Sequence, residues 1–200
     1  MSISFQQIHQ ISIDAAWYTQ PFKGFCLDSR KLEAGQIFIA LNSYSQPEKT
    51  RLFAENALNA GALAVISETD LGLANEWVCP EVRYLMGEWQ KQYLQAVDPV
   101  TTLRGIAVTG TNGKTTISRL IAELISSQGQ GCAVMGTTGN GILPNLTPST
   151  HTTLDALQLQ NALHDYAKQG AGFVALEASS HGLEQGRLNG CELEIAVYSN

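Results

Sequence analysis

The chain has 200 residues, is 44% hydrophobic and 15% charged, and carries a formal net charge of −6. That is the composition of an ordinary globular protein, long enough for one large domain or two small ones and able to bury a core. The acidic balance argues against nucleic acid and anionic membrane as partners, since both want a basic face; an anionic small ligand stays possible, because local backbone N–H groups and one lysine can hold it.

In the first hundred residues, short β-rich runs alternate with helical ones. IFIAL (37–41) is a β-branched strand candidate. RLFAENALNAG (51–61) reads as a helix closed by Gly61, and ALAVIS (62–67) as the next strand, which together make a βαβ unit. VRYLM (82–86) is a weaker strand candidate, and EWQKQYLQAV (88–97) has the length and propensity of a helix. DPVTTLRG (98–105) carries a proline and little periodicity, so a domain boundary is placed there, giving domains 1–101 and 102–200.

The alternation then restarts. GIAVT (105–109) is a buried strand candidate. From Lys114 to Gln128, the apolar residues Ile117, Leu120, Ile121, Leu124 and Ile125 fall at helical spacing, an amphipathic stripe expected to pack on a sheet, with Gly129 ending it. CAVMG (132–136) reads as a strand. The glycine- and proline-rich stretch 136–148 is too irregular for helix or strand. Leu159, Ala162, Leu163, Tyr166 and Ala167 repeat the helical stripe, closed by Gly170, and FVALE (173–177) and IAVYS (195–199) are two more strands. The fold class is therefore α/β: an N-terminal α/β domain followed by the first part of a three-layer α/β/α domain with a mostly parallel sheet. The chain stops after its last strand without the helices such a sheet needs on both faces, which is the pattern of a truncated domain.

Four cysteines, Cys26, Cys79, Cys132 and Cys191, show neither C-x-x-C spacing nor paired histidines. Reduced, partly buried thiols are expected, and no zinc site or disulfide framework. The N-terminus has no basic start and no apolar signal region, and no apolar run approaches the ~20 residues of a membrane helix. A cytoplasmic location with no membrane partner follows as an expectation.

Strand, then TGTNGKTT, then helix is the context of a phosphate-binding loop. The usual G-x-x-x-x-G-K-[ST] pattern would place a glycine at position 108, where this chain has Val108, a residue of the strand. Gly110 and Gly113 allow a backbone in which successive N–H groups converge on a phosphate oxygen. The helix that follows adds its unpaired N–H groups and dipole. Lys114 supplies positive charge for the β and γ phosphates, and Thr115 a hydroxyl for Mg²⁺.

The second constellation is EASSHGLEQGR (177–187). A carboxylate at the C-terminal end of a parallel strand stands where α/β sheets place their ligands, so Glu177 is positioned to reach a nucleotide-bound Mg²⁺; the plainer alternative is a solvated glutamate. A Ser179–His181 or Ser180–His181 nucleophile is rejected, since sequence neighbours seldom present that geometry and no G-x-S-x-G is present. Capping or loop ordering is the safer role for these residues. Arg187 is either a carboxylate or phosphate clamp or a surface arginine.

GTNGKTT (110–116), HTT (151–153) and EASSHGLEQGR (177–187) together resemble the Mur ligase family. GTTGNG (136–141) and LDSR (27–30) narrow the resemblance to the members that add the third amino acid of the peptidoglycan precursor. The resemblance is strong over 105–200 and thinner over 1–100. It implies an N-terminal domain for the UDP end of the substrate, a central ATPase domain and a C-terminal domain for the incoming amino acid. This chain would hold the first of these and the beginning of the second. The implied reaction is ATP-dependent ligation in the cytoplasm: ATP phosphorylates the D-glutamate γ-carboxylate of UDP-MurNAc-L-Ala-D-Glu, and the amine of diaminopimelate or L-lysine attacks the acyl phosphate.

By the same resemblance, Gly110, Thr111, Asn112, Gly113, Lys114, Thr115 and Thr116 bind ATP, with Lys114 and Glu177 catalytic and Thr115 and Glu177 at Mg²⁺. Leu27, Ser29, Tyr44, Ser45 and Gln46 contact the uridine nucleotide, and Thr152, Thr153, Ser179, Gln185 and Arg187 the muramoyl dipeptide. His151 stands where the family often has asparagine, so no contact is carried there. The loop NSYSQPEK is longer than the family's uridine loop. The family's carbamylated lysine and metal-binding histidine would lie beyond Asn200, so the 200-residue chain alone is expected not to ligate. Two rivals are a folylpolyglutamate synthase, which lacks a uridine domain before the loop, and a non-catalytic ATP-binding module, which has no need of Glu177, the threonine pair or Arg187.

Overall fold

A computed structural model describes residues 2–9, 13–43, 46–149 and 152–200. The chain divides into two compact units, Met1–Asp98 and Pro99–Asn200. Unit 1 opens with a short antiparallel ribbon of β1 (Ile3–Ser4) and β2 (Pro21–Phe22). Its main sheet is wholly parallel, in the order β3 (Phe25–Cys26), β4 (Ile37–Ala40), β5 (Ala64–Ser67) and β6 (Glu76–Val78). Helix α1 (Pro47–Asn59) connects β4 to β5, and α2 (Val82–Val97) follows β6.

Phe38, Ala40 and Val65 pack with Ala54 and Ala57 of α1, while Ile37, Ile39 and Ile66, which alternate with them along the strands, are also fully buried. A parallel sheet covered on both faces requires this continuous run of apolar residues. Around Phe5 the rings of Trp17, Tyr18, Phe22, Phe25, Trp77 and Trp89 gather within about 6 Å, mostly edge-to-face.

VRYLM is not a strand. Residues 82–86 are the first turns of α2, because Val82, Met86 and Trp89 fall on one buried face at helical spacing, and the strand of this region lies earlier, at Glu76–Val78. The five-residue apolar run alone could not separate the two readings.

Unit 2 holds a six-stranded sheet in the order β10 (Asn145–Thr147), β9 (Gly139–Ile142), β8 (Cys132–Gly136), β11 (Phe173–Glu177), β7 (Arg104–Thr109) and β12 (Leu193–Tyr198). The four strands β8, β11, β7 and β12 are parallel. Helices α3 (Lys114–Ser127), α4 (Ala156–Lys168) and the short α5 (Ser180–Glu184) complete the unit. On one face Ala122 of α3 packs with Cys132, Val134 and Ala175; on the other Leu159 of α4 packs with Ala133, Met135, Val174 and Leu176. Helices on opposite faces of a mostly parallel sheet make the three-layer α/β/α arrangement.

Two expectations are corrected here. The stretch 136–148 is not irregular: β9 and β10 form an antiparallel hairpin on the edge of β8, turning at Leu143–Pro144. Its glycines hid it, since Gly139 and Gly141 adopt φ of +126° and +154° and meet the carbonyls of Thr147 and Asn145 too closely to admit a side chain. In α3, Leu120 and Leu124 do not face the sheet; they are exposed, and the buried stripe runs through Ser118 and Ala122, flanked by half-buried Ile121 and Ile125.

Candidate active site

Because β8, β11, β7 and β12 run in parallel, their C-terminal ends meet at one edge of the sheet, and each delivers a polar group there. The segment Gly110–Gly113 joins β7 to α3. Gly110 and Gly113 take φ of +128° and +84°, values open to glycine and costly for other residues. Lys114, the first residue of α3, turns its ammonium back onto the loop, donating to Gly110 O at 2.7 Å and Thr111 O at 3.3 Å.

The loop is also held from the neighbouring strand. Just past β12, Asn200 Oδ1 accepts the backbone N–H of both Thr111 (2.9 Å) and Asn112 (3.1 Å), and Ser199 Oγ donates to Asn112 O at 2.6 Å. Two successive N–H groups thus converge on a single oxygen, the geometry of an anion nest. A Cβ on Gly110 would overlap Ser199 Oγ where it now stands and crowd the Asn200 backbone nitrogen at 3.1 Å, which together with the φ of +128° favours glycine here.

Glu177 ends β11 and is 2% exposed, which overturns the alternative of a solvated glutamate. Its Oε1 accepts from Thr115 Oγ1 at 3.0 Å, from the Thr137 backbone N–H at 2.9 Å and from Thr137 Oγ1 at 3.0 Å. The two threonine hydroxyls are themselves 3.0 Å apart. A Cβ on Gly136 would lie 2.0 Å from Glu177 Oε1, so the glycine that ends β8 makes the room for the carboxylate. Among the described residues no ion pair involves Glu177. A buried carboxylate ringed by hydroxyls rather than by a cationic side chain is a strong candidate for receiving a cation.

Behind Glu177 lies a second, connected network. Thr153 is buried; its hydroxyl donates to the Glu177 backbone carbonyl at 2.9 Å and accepts the Ser179 N–H at 3.1 Å. Ser179 is the N-cap of α5 and accepts the Gly182 N–H at 3.0 Å, so the capping role expected for the serines is realised at this one. Arg187 donates to Thr153 O at 2.8 Å and, from two nitrogens, to Gln185 Oε1 at 3.0 and 2.7 Å. Thr152, half-buried, lines a small cleft with Thr153, Asn140 and Glu177. His181 is exposed on α5 and belongs to neither network.

In unit 1, Leu27 and Ser29 follow β3 and line a cavity of about 440 Å³ with Asp28, Arg30 and Phe53. Asp28 carries Arg30 on both carboxylate oxygens, 2.9 and 2.8 Å away, and this bidentate bond holds the Asp28 carboxyl down at about 2. Gln46 is exposed and its backbone N–H donates to Ser43 Oγ at 3.2 Å. Tyr44 and Ser45 lie outside the described residues.

The structure therefore brings Gly110 to Thr116 and Glu177 to one edge, and links Thr153, Ser179, Gln185 and Arg187 behind them. Sequence reasoning missed Gly136, Thr137, Ser199 and Asn200. GTTGNG carried a usable signal for the first two, a glycine and a hydroxyl directly after a parallel strand; nothing local marked Ser199 or Asn200.

Residues 108–200 match the Mur ligase middle domain family. The chain is 40% identical over 186 residues to a UDP-N-acetylmuramoyl-L-alanyl-D-glutamate--2,6-diaminopimelate ligase of Ralstonia nicotianae, an alignment that covers 86% of this chain and 35% of that protein. It is 40% identical over 184 residues to the ligase of the same name from Vibrio cholerae, covering 87% of this chain and 36% of the relative. A solved structure of a ligase with that name superposes on the whole chain with a TM-score of 0.96 and 80% identity, over 40% of its own length. MurF of Acinetobacter baumannii shares the fold, with a TM-score of 0.54 at 18% identity. The chain spans between a third and two fifths of the length of the first three of these proteins.

Proposed function

We propose that this chain, whose residues 108–200 match the Mur ligase middle domain, carries the UDP-substrate unit and the nucleotide loop of a ligase that joins 2,6-diaminopimelate to UDP-N-acetylmuramoyl-L-alanyl-D-glutamate with ATP. The observation that carries the reading is the buried Glu177 carboxylate, bonded to the hydroxyls of Thr115 in the loop and Thr137 beside it. A plain glycine turn between strand and helix has no use for that arrangement, and the connected network of Thr153, Ser179, Gln185 and Arg187 behind it is more than a module that only senses nucleotide requires.

The reaction requires two anions, the D-glutamate γ-carboxylate and the γ-phosphate, to approach one another. The carboxylate oxygen bonds to phosphorus as the bond to ADP breaks, and the amine of diaminopimelate, preferred here to L-lysine because the relatives bear its name, then displaces phosphate from the acyl carbon and loses its proton. Lys114 and the N–H groups of Thr111 to Thr116 would hold the phosphates and offset their charge. For this, Lys114 must exchange the carbonyls of Gly110 and Thr111 for phosphate oxygens, a stronger, charge-assisted pairing. Mg²⁺ held between Thr115 and Glu177 would supply further charge neutralisation, and the hydroxyl-ringed carboxylate fits a hard, oxygen-preferring cation.

The muramoyl dipeptide is assigned to Thr152, Thr153, Ser179, Gln185 and Arg187, and the uridine end to Leu27, Ser29, Tyr44, Ser45 and Gln46. Thr153 and Ser179 use their hydroxyls inward and Arg187 bonds to Thr153 O and Gln185, so these residues would support the site, while Thr152 lines the cleft beside Glu177. The cytoplasm is the proposed location; among the described residues no helix is long and apolar enough to cross a membrane.

The test is phosphate release by the enzyme that contains this sequence, in the presence of ATP, the UDP-dipeptide and diaminopimelate. Lys114→Ala and Glu177→Ala should each abolish it. Wild-type protein that binds ATP yet releases no phosphate with all substrates present would favour the nucleotide sensor instead.

A further inference from the structure

Unit 1 contains a half-buried ion pair that the ligase chemistry leaves unused. Glu68 directly follows β5 and Arg83 stands in the first turn of α2. The guanidinium donates to both carboxylate oxygens, at 2.8 and 3.0 Å, and the side chains are only 16% and 12% exposed. Drawing such a pair out of water costs more than the attraction returns unless its remaining bonding capacity is filled.

That capacity converges on one residue. Asn42, two positions past β4, donates its backbone N–H to Glu68 Oε2 at 2.5 Å, and its carbonyl accepts a long bond from Arg83 at 3.5 Å. Its side-chain oxygen accepts from the Thr69 hydroxyl at 3.1 Å. The buried Thr50 fixes the residues on either side, its hydroxyl reaching Leu41 O at 3.5 Å and accepting the Ser43 N–H at 3.4 Å. All of this lies beyond the C-terminal ends of β4 and β5, the edge at which parallel sheets hold ligands. Leu41 and Thr50 line a cavity of about 210 Å³ that also contains Leu27 and Phe53.

We propose that the Glu68–Arg83 pair is a positioning element of the uridine-nucleotide site, fixing Asn42 and Ser43, the residues that directly follow the cavity-lining Leu41, before the nucleotide arrives. The proposal rests on the reading of unit 1 given above. A pair kept for stability alone would be replaceable by packed apolar side chains and would have no reason to bind both the N–H and the carbonyl of one loop residue. A loop set in advance lowers the ordering cost of binding and so shows itself as affinity.

The experiment uses the complete enzyme that contains this sequence, with UDP as the probe. Amide hydrogen exchange at Asn42 and Ser43 and UDP affinity by calorimetry are compared in wild type, Glu68→Gln and Thr69→Val, with ADP and Mg²⁺ as the control ligand for the other unit. In Glu68→Gln, exchange at Asn42 should speed up about tenfold or more and UDP should bind roughly tenfold more weakly, with ADP affinity unchanged. Thr69→Val removes one exposed hydroxyl and should shift both in the same direction, by about threefold; it decides the matter if Glu68→Gln fails to fold. Unchanged exchange at Asn42, or faster exchange with undiminished UDP affinity, would overturn the positioning role alone. Wild-type enzyme that binds no UDP would remove the substrate reading of unit 1, and this role with it.

Discussion

The backbone N–H and the hydroxyl of Thr137 both reach the same oxygen of Glu177, at 2.9 and 3.0 Å. Thr115 Oγ1 meets that oxygen as well, at 3.0 Å, so a residue of the nucleotide loop and a residue of the next strand end share one carboxylate. Three donors on one oxygen fix the position of the buried carboxylate.

Thr137→Val keeps the shape and the backbone donor but removes the hydroxyl. Losing a hydrogen bond to a charged group costs about 1.5–3 kcal/mol of stability, and a carboxylate no longer held in place should receive Mg²⁺ less well, so affinity for ADP in the presence of Mg²⁺ should fall as well. Thr137→Ser should retain most of it. Equal affinity in the valine and serine variants, measured by calorimetry, would show that the hydroxyl plays no part.

Gly136→Ala tests the room made for that carboxylate. The added Cβ would sit 2.0 Å from Glu177 Oε1 and 2.5 Å from its Cδ, so the side chain must be displaced. Overpacking of this kind costs about 1–3 kcal/mol, and Mg²⁺-dependent nucleotide binding should be lost with it. Gly172→Ala is the control, because nothing lies within 4 Å of where its methyl group would stand and its φ is not positive. Thermal melts of both variants, with and without ADP, separate stability from binding.

Thr153→Val leaves the Glu177 carbonyl and the Ser179 N–H without their shared partner in a buried setting. The expected cost is about 1–3 kcal/mol, seen as a lower midpoint in urea with an unchanged slope. In the complete enzyme the KM for the UDP-dipeptide should rise more than kcat falls, since the lost hydroxyl holds in place the backbone of residue 153, whose carbonyl anchors Arg187.

Cys132 is fully buried, and burial pushes its thiol up from 9.0 to about 11. The neutral thiol is the form the fold prefers, so its contribution to stability is complete below pH 9 and is lost as pH rises from 9 towards 11. Iodoacetamide at about pH 8 should leave Cys132 unmodified in the native chain and label it after denaturation, read by peptide mass spectrometry. Rapid native labelling at this position would contradict the packing of β8 against α3.

The nucleotide loop is legible because its chemistry is local: glycines, lysine and threonine stand in one run, between a strand and a helix that periodicity alone identifies. Glu177 can be placed at a strand end from the pattern of FVALE, but its burial cannot, since that depends on Gly136 of another strand. The 139–147 hairpin is hidden by glycines serving close backbone approach rather than flexibility. Val82 to Met86 mislead because a short apolar run satisfies strand and helix alike until Trp89 extends the period. Leu120 and Leu124 fit the apolar stripe of α3 by spacing, and only the sheet's position shows that the helix turns Ser118 and Ala122 inward instead.

The contact of Ser199 and Asn200 with the loop has a consequence for design and for descent. Gly110 leaves no space for a side chain against Ser199, and Asn200 holds the two N–H groups that define the curve of the loop. The octapeptide TGTNGKTT is therefore not a portable module. Grafted after a strand of another sheet it would lose the neighbour that shapes it, and a change at position 110 or 199 in a homologue should be answered by a change at the other.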